Sequence, residues 1–249
     1  MQDYIIHPSK AEPFTYGNAK NGELIICGIS APFNPKEFYK PIIHWVDNFL
    51  AMDSKPLSIE INLQFYTKTT SSCLYNLFRL VLEHIKKGRE VKVCWYYFPD
   101  EIDVMEDGED FASEFNIPIN VIEQVVPESF SLKSTSSSPL VYYDESGDVI
   151  IKGKSTGSKP WEYFLPLIKW LSYNRFRNEF MARIFLFLSV LDANSLNRHY
   201  LSHILYLIER LVEKQSYITV TWEYKNKNMK DLGEELLSKR NLNVSFEEC

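Results

Sequence analysis

The sequence predicts an α/β protein made of two tandem small domains. Each is a mixed β-sheet with packed helices, in the order ββαβαβαβ. Three observations predict it. Leu63 to Tyr97 reads as an apolar strand, a hydroxyl cluster (Thr67, Thr69, Thr70, Ser71 and Ser72), a helix and a second strand. The same design returns over Phe185 to Tyr224. Setting Trp95 on Trp222 also sets Leu74 on Leu201, Leu77 on Ile204, Leu80 on Leu207, Ile85 on Val212, Val91 on Ile218 and Val93 on Val220. The segments on either side of this unit recur as well.

The first half opens with a candidate hairpin, Phe14 to Tyr16 and Glu23 to Cys27, around Asn21-Gly22. Its counterpart is Val141 to Tyr143 and Val149 to Lys152 around Ser146-Gly147. A helix follows, with Asn34 as N-cap and Pro35 in the first turn. Phe38, Ile42, Trp45, Val46 and Phe49 form its apolar stripe. Glu37, Pro41 and Trp45 match Glu162, Pro166 and Trp170 in the second half. A proline inside a helix costs about 3 kcal/mol unless it lies in the first turn or at a kink, so its recurrence predicts a shared bend.

The central strands are Leu57 to Phe65 and Ala182 to Leu191. The central helix of the first half buries Leu74, Leu77, Phe78, Val81 and Ile85, and stops at Gly88. Met105 onward and Met229 onward each read as a short amphipathic helix and a last strand. Strands separated by helices favour parallel crossovers. The Ser-rich stretch Ser134 to Ser138 has no hydrophobic period. The expected division is a domain over 1–127, a linker over 128–138 and a second domain over 139–249.

The chain has 249 residues, 45% of them hydrophobic, and a net charge of −6. An acidic balance argues against non-specific nucleic-acid binding. No apolar run approaches the ~20 residues of a membrane span. The N-terminus lacks the pattern of a signal peptide. Four distant cysteines without a CxxC argue against a disulfide framework or zinc site. A cytoplasmic protein with reduced thiols and no cofactor is expected. No phosphate-loop, dinucleotide or hydrolase motif occurs.

These residues resemble the SiaC family of bacterial regulatory phosphoproteins. The hairpin at Asn21-Gly22-Glu23-Leu24, the helix from Glu37 to Leu50, the hydroxyl turn, the strand Val91 to Tyr97 and the segment from Asp107 to Ile119 carry the likeness. They cover nearly all of residues 13 to 123. The second half is a weaker copy, so the chain looks like a tandem of a domain that usually occurs singly.

The resemblance implies a fold similar to anti-sigma-factor antagonists (STAS-like) and no catalytic activity. It implies a switch in which a Thr at the turn before the central helix is phosphorylated. A dedicated kinase adds the phosphate and a PPM-type phosphatase removes it. The unphosphorylated form binds and activates a diguanylate cyclase.

The family's turn reads Asn-Thr-Ser-Ser. Counting back from Trp95 puts Lys68 at the acceptor position and Thr67 at the Asn position. Counting back from Trp222 puts Asn194 and Ser195 there. The candidate phosphoacceptors are therefore Ser195, Thr69, Thr67 and Thr70. The candidate partner-binding residues are Tyr66, Lys68, Ser71, Ser72, Asn194, Tyr96 and Tyr97.

A phosphate before a helix meets unpaired N–H groups and the favourable end of the helix dipole. It adds roughly −1.5 to −2 charges, enough to repel an acidic partner. The plainer reading is capping, worth about 0.5–2 kcal/mol. His199 and His203 stand four apart on a helix, but no third metal ligand accompanies them. The acidic run from Asp100 to Asp110 lacks the spacing of a calcium loop. An enzyme using the hydroxyl turn as nucleophile would need a base that the two halves do not share. A scaffold in which the halves pack as an intramolecular pseudo-dimer, with the switch lost, is the other alternative.

Overall fold

The computed structural model describes residues 1–52, 55–125, 127–144, 146, 148–174, 183–191, 195–213 and 218–249, with side chains at all but 173–174, 187–191 and 195. The chain divides into two compact units, Met1–Val125 and Val126–Cys249.

In the first unit six strands lie across one sheet in chain order: β1 (Tyr4–Ile6), β2 (Phe14–Asn18), β3 (Glu23–Ser30), β4 (Leu57–Tyr66), β5 (Val91–Tyr97) and β6 (Ile119–Glu123). β1, β2 and β3 pair antiparallel, while β3 through β6 pair parallel. Parallel neighbours need crossovers, which α1 (Pro35–Met52), α2 (Lys68–Lys86) and α3 (Ile102–Phe115) supply. Successive right-handed crossovers in one direction place all three helices on the same face. Alternate strand residues (Leu24, Ile26, Ile59, Ile61, Val93, Trp95) close the core against Ile42, Val46, Phe49, Leu74, Leu77 and Phe78.

The second unit repeats this with β7 (Phe130–Leu132), β8 (Leu140–Tyr143), β9 (Asp148–Ser155), α4 (Trp161–Asn174), β10 (Arg183–Leu191), α5 (Ser195–Val212), β11 (Thr219–Tyr224), α6 (Lys227–Leu237) and β12 (Asn243–Glu248). The internal register holds at the core. Leu74 and Leu201, Leu77 and Ile204, Val91 and Ile218, Val93 and Val220, and Trp95 and Trp222 are all buried.

The mixed α/β fold class stands, with one addition. Each unit carries an extra antiparallel edge strand, so the order is βββαβαβαβ. β1 and β7 have three residues each, too few to show alternation. β7 also corrects the expected linker over 128–138. Phe130 to Leu132 pair with β8, and the Phe130 ring stacks on Tyr143 at 5.5 Å. Burying that ring outweighs the polar composition around it.

Both helical prolines lie inside helices that continue through them. The carbonyls that lose a donor belong to Glu37 and Glu162. Both residues are exposed.

Near the end of β3 the ladder slips: Gly28 pairs with Leu63, but Ile29 pairs with Phe65. Gly28 sits at φ +112°, and Gly153 at φ +119° at the same point of β9. The bulge turns Phe65 outward and brings Ser30 opposite Tyr66. That last pair positions the site.

Candidate functional site

Ser30, Tyr66 and Tyr97 end β3, β4 and β5, so the loops to all three helices leave from one edge of the sheet. In open α/β sheets this edge is where loops carry function. The hydroxyl turn lies at its centre.

Thr67 is the N-cap of α2. Its backbone is extended, and its Oγ1 accepts the Thr70 N–H at 3.2 Å. Its own hydroxyl donates to Thr70 Oγ1 at 3.2 Å. The Ser30 carbonyl accepts both the Thr67 N–H at 3.2 Å and the Thr70 hydroxyl at 3.0 Å. Beneath, Ser30 Oγ lies 2.9 Å from the Tyr39 hydroxyl and 3.3 Å from Thr70 Oγ1. Ser30, Tyr39 and Thr70 are all fully buried. Burial pushes the Tyr39 phenol far up, so it stays neutral and keeps its proton.

This geometry sorts the candidates. Thr70 has 0% exposure and donates inward, so its hydroxyl is out of reach of a modifying enzyme and is set aside as an acceptor. Thr67 is half-buried and engaged as the cap. Thr69, the second residue of α2, is exposed, and its hydroxyl makes no hydrogen bond among the described residues. Lys68 is exposed at the first helical position. Ser71 is half-buried, and the exposed Ser72 donates to the Lys68 carbonyl at 3.2 Å.

Tyr66 serves the fold. Its hydroxyl donates to Asp107 of α3, and its ring meets Trp95 edge-on at 6.0 Å. Burial first, then Asp107, drives its phenol far above the ordinary range. Tyr96 and Tyr97 are half-buried at the end of β5. Burial first, then Glu60, raises the Tyr96 phenol.

In the second unit α5 begins at Ser195. Asn194 and the Ser195 side chain lie outside the described residues. Two residues on, where the register sets Thr70, stands the fully buried Asn197. Its Oδ1 accepts the Ser155 hydroxyl at 2.9 Å and the Tyr163 hydroxyl, and its Nδ2 donates to the Gly157 carbonyl at 2.9 Å. Thus each unit buries a Ser–Tyr pair under the third residue of its central helix.

Sequence reasoning missed this buried node, because Ser30 and Thr70 stand 40 residues apart. Serine at corresponding strand ends, Ser30 and Ser155, was the signal that could have found it. It also missed three neighbours on the edge. Phe33, between β3 and α1, is fully exposed, and Phe65 is 53% exposed. Glu101, ahead of α3, accepts the Phe98 N–H at 3.2 Å while its other carboxyl oxygen is buried without a partner. Burial first, with Asp100 adding to it, raises its pKa to about 7.

Among the described residues no three His, Cys, Asp or Glu side chains converge on a metal-sized site. His203 is held neutral, its pKa lowered to about 4 by burial first, then by His199 and Arg240. No described helix is long and apolar enough to cross a membrane.

The profile of the SiaC family of regulatory phosphoproteins matches the chain twice, over residues 6–124 and 132–248. An uncharacterized protein of Pseudomonas aeruginosa (strain UCBPP-PA14) is 27% identical over 121 residues, which are 49% of this chain and 96% of that protein. Among solved structures, apo-SiaC from Pseudomonas aeruginosa is 28% identical and covers 49% of this chain and 98% of its own, with a TM-score of 0.46. SiaC from the same organism, as the activator in complex with the diguanylate cyclase SiaD, is 26% identical and covers 49% and 99%, with a TM-score of 0.47. Each relative is the length of one unit. Two successive profile matches, each spanning the five longer strands of one sheet and its three helices, leave one conclusion: the chain belongs to the SiaC family of regulatory phosphoproteins and carries the family's domain twice.

Proposed function

We propose that this chain is a non-catalytic, partner-binding regulator switched by phosphorylation at the hydroxyl turn, with Thr69 the acceptor in the first unit and Ser195 in the second. The observation that carries the reading is the state of Thr69. It is exposed and uncommitted, and it sits on the first turn of a helix whose N-terminus favours an added anion. The hydroxyls of Thr67 and Thr70 are spent on holding the turn, whereas that of Thr69 makes no hydrogen bond among the described residues.

The partners follow from the family: a kinase, a PPM-type phosphatase and an effector. A SiaC relative is found in complex with a diguanylate cyclase, which makes a cyclase the first effector to try. Phe33 and Phe65, exposed on the same edge, supply apolar docking area. A protein of the cytoplasm, where such partners reside, fits this role. The expected domain division, two lobes joined near residue 128, assigns each lobe its own turn.

Phosphosite mapping of the chain from its native cell tests the switch. Phosphate on Thr69 or Ser195 is the expected result, and phosphate on neither refutes it. A pull-down from the same cells with Thr69→Ala and Thr69→Glu tests the docking, with the cyclase retained by the first and lost by the second. Lys68 favours a second reading, in which the first unit is a permanently unswitched scaffold. It stands where the register sets the family's acceptor.

A further inference from the structure

We propose that the buried chain Thr67–Thr70–Ser30–Tyr39 is a relay through which charge on the α2 turn is felt by the β3–α1 loop. The inference rests on the reading of the turn as a switch and names how the signal leaves it.

Hydrogen bookkeeping gives the relay a direction. Thr70 gives its one hydroxyl proton to the Ser30 carbonyl and accepts from Thr67. In the Ser30–Thr70 contact Ser30 must then be the donor. Its proton is thereby spent, so Tyr39 must donate to Ser30. One arrangement satisfies every group, so the four side chains form a single directed hydrogen-bonded chain.

The far end of the relay spans a loop. Ser30 closes β3, Tyr39 lies in the second turn of α1, and the four residues from Ala31 to Asn34 link β3 to α1. Ser30 and Tyr39 therefore pin both sides of the loop that displays Phe33. An anion on Thr69 competes for the Thr70 N–H that Thr67 now caps. Losing that cap slackens the Thr67–Thr70 contact, then the grip on Ser30.

The second unit argues that the node has a use. It keeps buried polar groups at the same place but builds them differently. Asn197 replaces Thr70, and the tyrosine hydroxyl comes from Tyr163, one position earlier than the α4 counterpart of Tyr39. An apolar filling would meet the packing need without requiring every donor to be matched.

The test is hydrogen exchange on the full chain, read over residues 31–38. Thr69→Glu is compared with the neutral Thr69→Gln, in the wild-type and Tyr39→Phe backgrounds. With the relay, the Glu-over-Gln change in exchange is about 5-fold or more in the wild-type background and under about 2-fold with Tyr39→Phe. Tyr163→Phe, in the other unit, leaves the first value whole. Equal changes in both backgrounds, or no change in the wild type, overturn the proposal. Ser30→Ala repeats the comparison should Tyr39→Phe fold poorly. The glutamate supplies the charge whether or not a kinase does, so an unphosphorylated native protein refutes the switch without touching this result.

Discussion

Gly108→Ala is the sharpest test of how each unit is assembled. Gly108 lies in α3, directly over Trp95. A Cβ there would meet Trp95 Cδ1 at 2.5 Å, roughly 1 Å inside ordinary contact. The indole cannot retreat. Its N–H donates to the Val104 carbonyl at 2.7 Å, and Tyr66, Phe78 and Phe111 pack around it with ring centroids 5.6–6.4 Å away. Overpacking of this kind costs about 1–3 kcal/mol. Alanine returns up to about 1 kcal/mol of helix propensity. The net expected loss is up to about 2 kcal/mol, or a fall of up to about 8 °C in melting temperature for a unit of this size. Urea unfolding of the full chain, with hydrogen exchange over Val91 to Tyr97 assigning the loss to the first unit, measures it. Gly233→Ala should do the same to the second unit, where the Cβ would lie 2.5 Å from Trp222 Cε2 and the indole N–H is fixed to the Met229 carbonyl at 3.0 Å. A gain of about 1 kcal/mol in either variant, the propensity term alone, would refute the close packing.

Four further outcomes are expected. Thr67→Ala removes the cap of α2 and costs about 0.5–2 kcal/mol by urea unfolding, while Thr69→Ala, exposed and uncommitted, changes stability by less than about 0.5 kcal/mol. Glu101, with its pKa raised from 4.5 to about 7, keeps a proton in the folded state that the unfolded chain has lost. The first unit therefore loses stability as pH rises from about 4.5 to about 7, by roughly 1 kcal/mol after discounting for partial solvent screening, and Glu101→Gln flattens that slope. His203 has the opposite sign. Its pKa is lowered from 6.5 to about 4, so the second unit keeps its stability above pH 6.5 and loses it as pH falls toward 4, a loss that His203→Gln removes. Arg240→Ala should destabilise the second unit by about 2–3 kcal/mol, because its guanidinium donates to Ser202 Oγ and carbonyl, the Leu236 carbonyl and Glu209 while only 13% exposed. At the same seam the first unit instead packs Tyr75 on Phe115 at 4.7 Å, so a rise in salt weakens the second unit more.

The duplication was legible because core burial leaves a periodic trace. Trp95 and Trp222, Leu74 and Leu201, and Val93 and Val220 recur at one spacing because each must face the same core from the same element. The hydroxyl turn was legible as well, since Thr67 before a run of apolar residues at helical spacing is a cap by composition. The edge strands Tyr4–Ile6 and Phe130–Leu132 were not. A three-residue strand has no period, and its pairing is settled by the partner strand.

Sequence by itself determined the two-fold plan, the helices and inner strands, and the placing of alcohols ahead of the central helix. These depend on local spacing and on which face of an element is apolar. Only the tertiary structure decided which alcohol does what. Thr69 and Thr70 are adjacent and chemically identical, yet one faces solvent and the other is enclosed by Ser30 and Tyr39. The physical reason is the bulge at Gly28, which sets Ser30 opposite Tyr66. Burial at that point depends on strand register across the sheet, which no neighbour in the chain encodes.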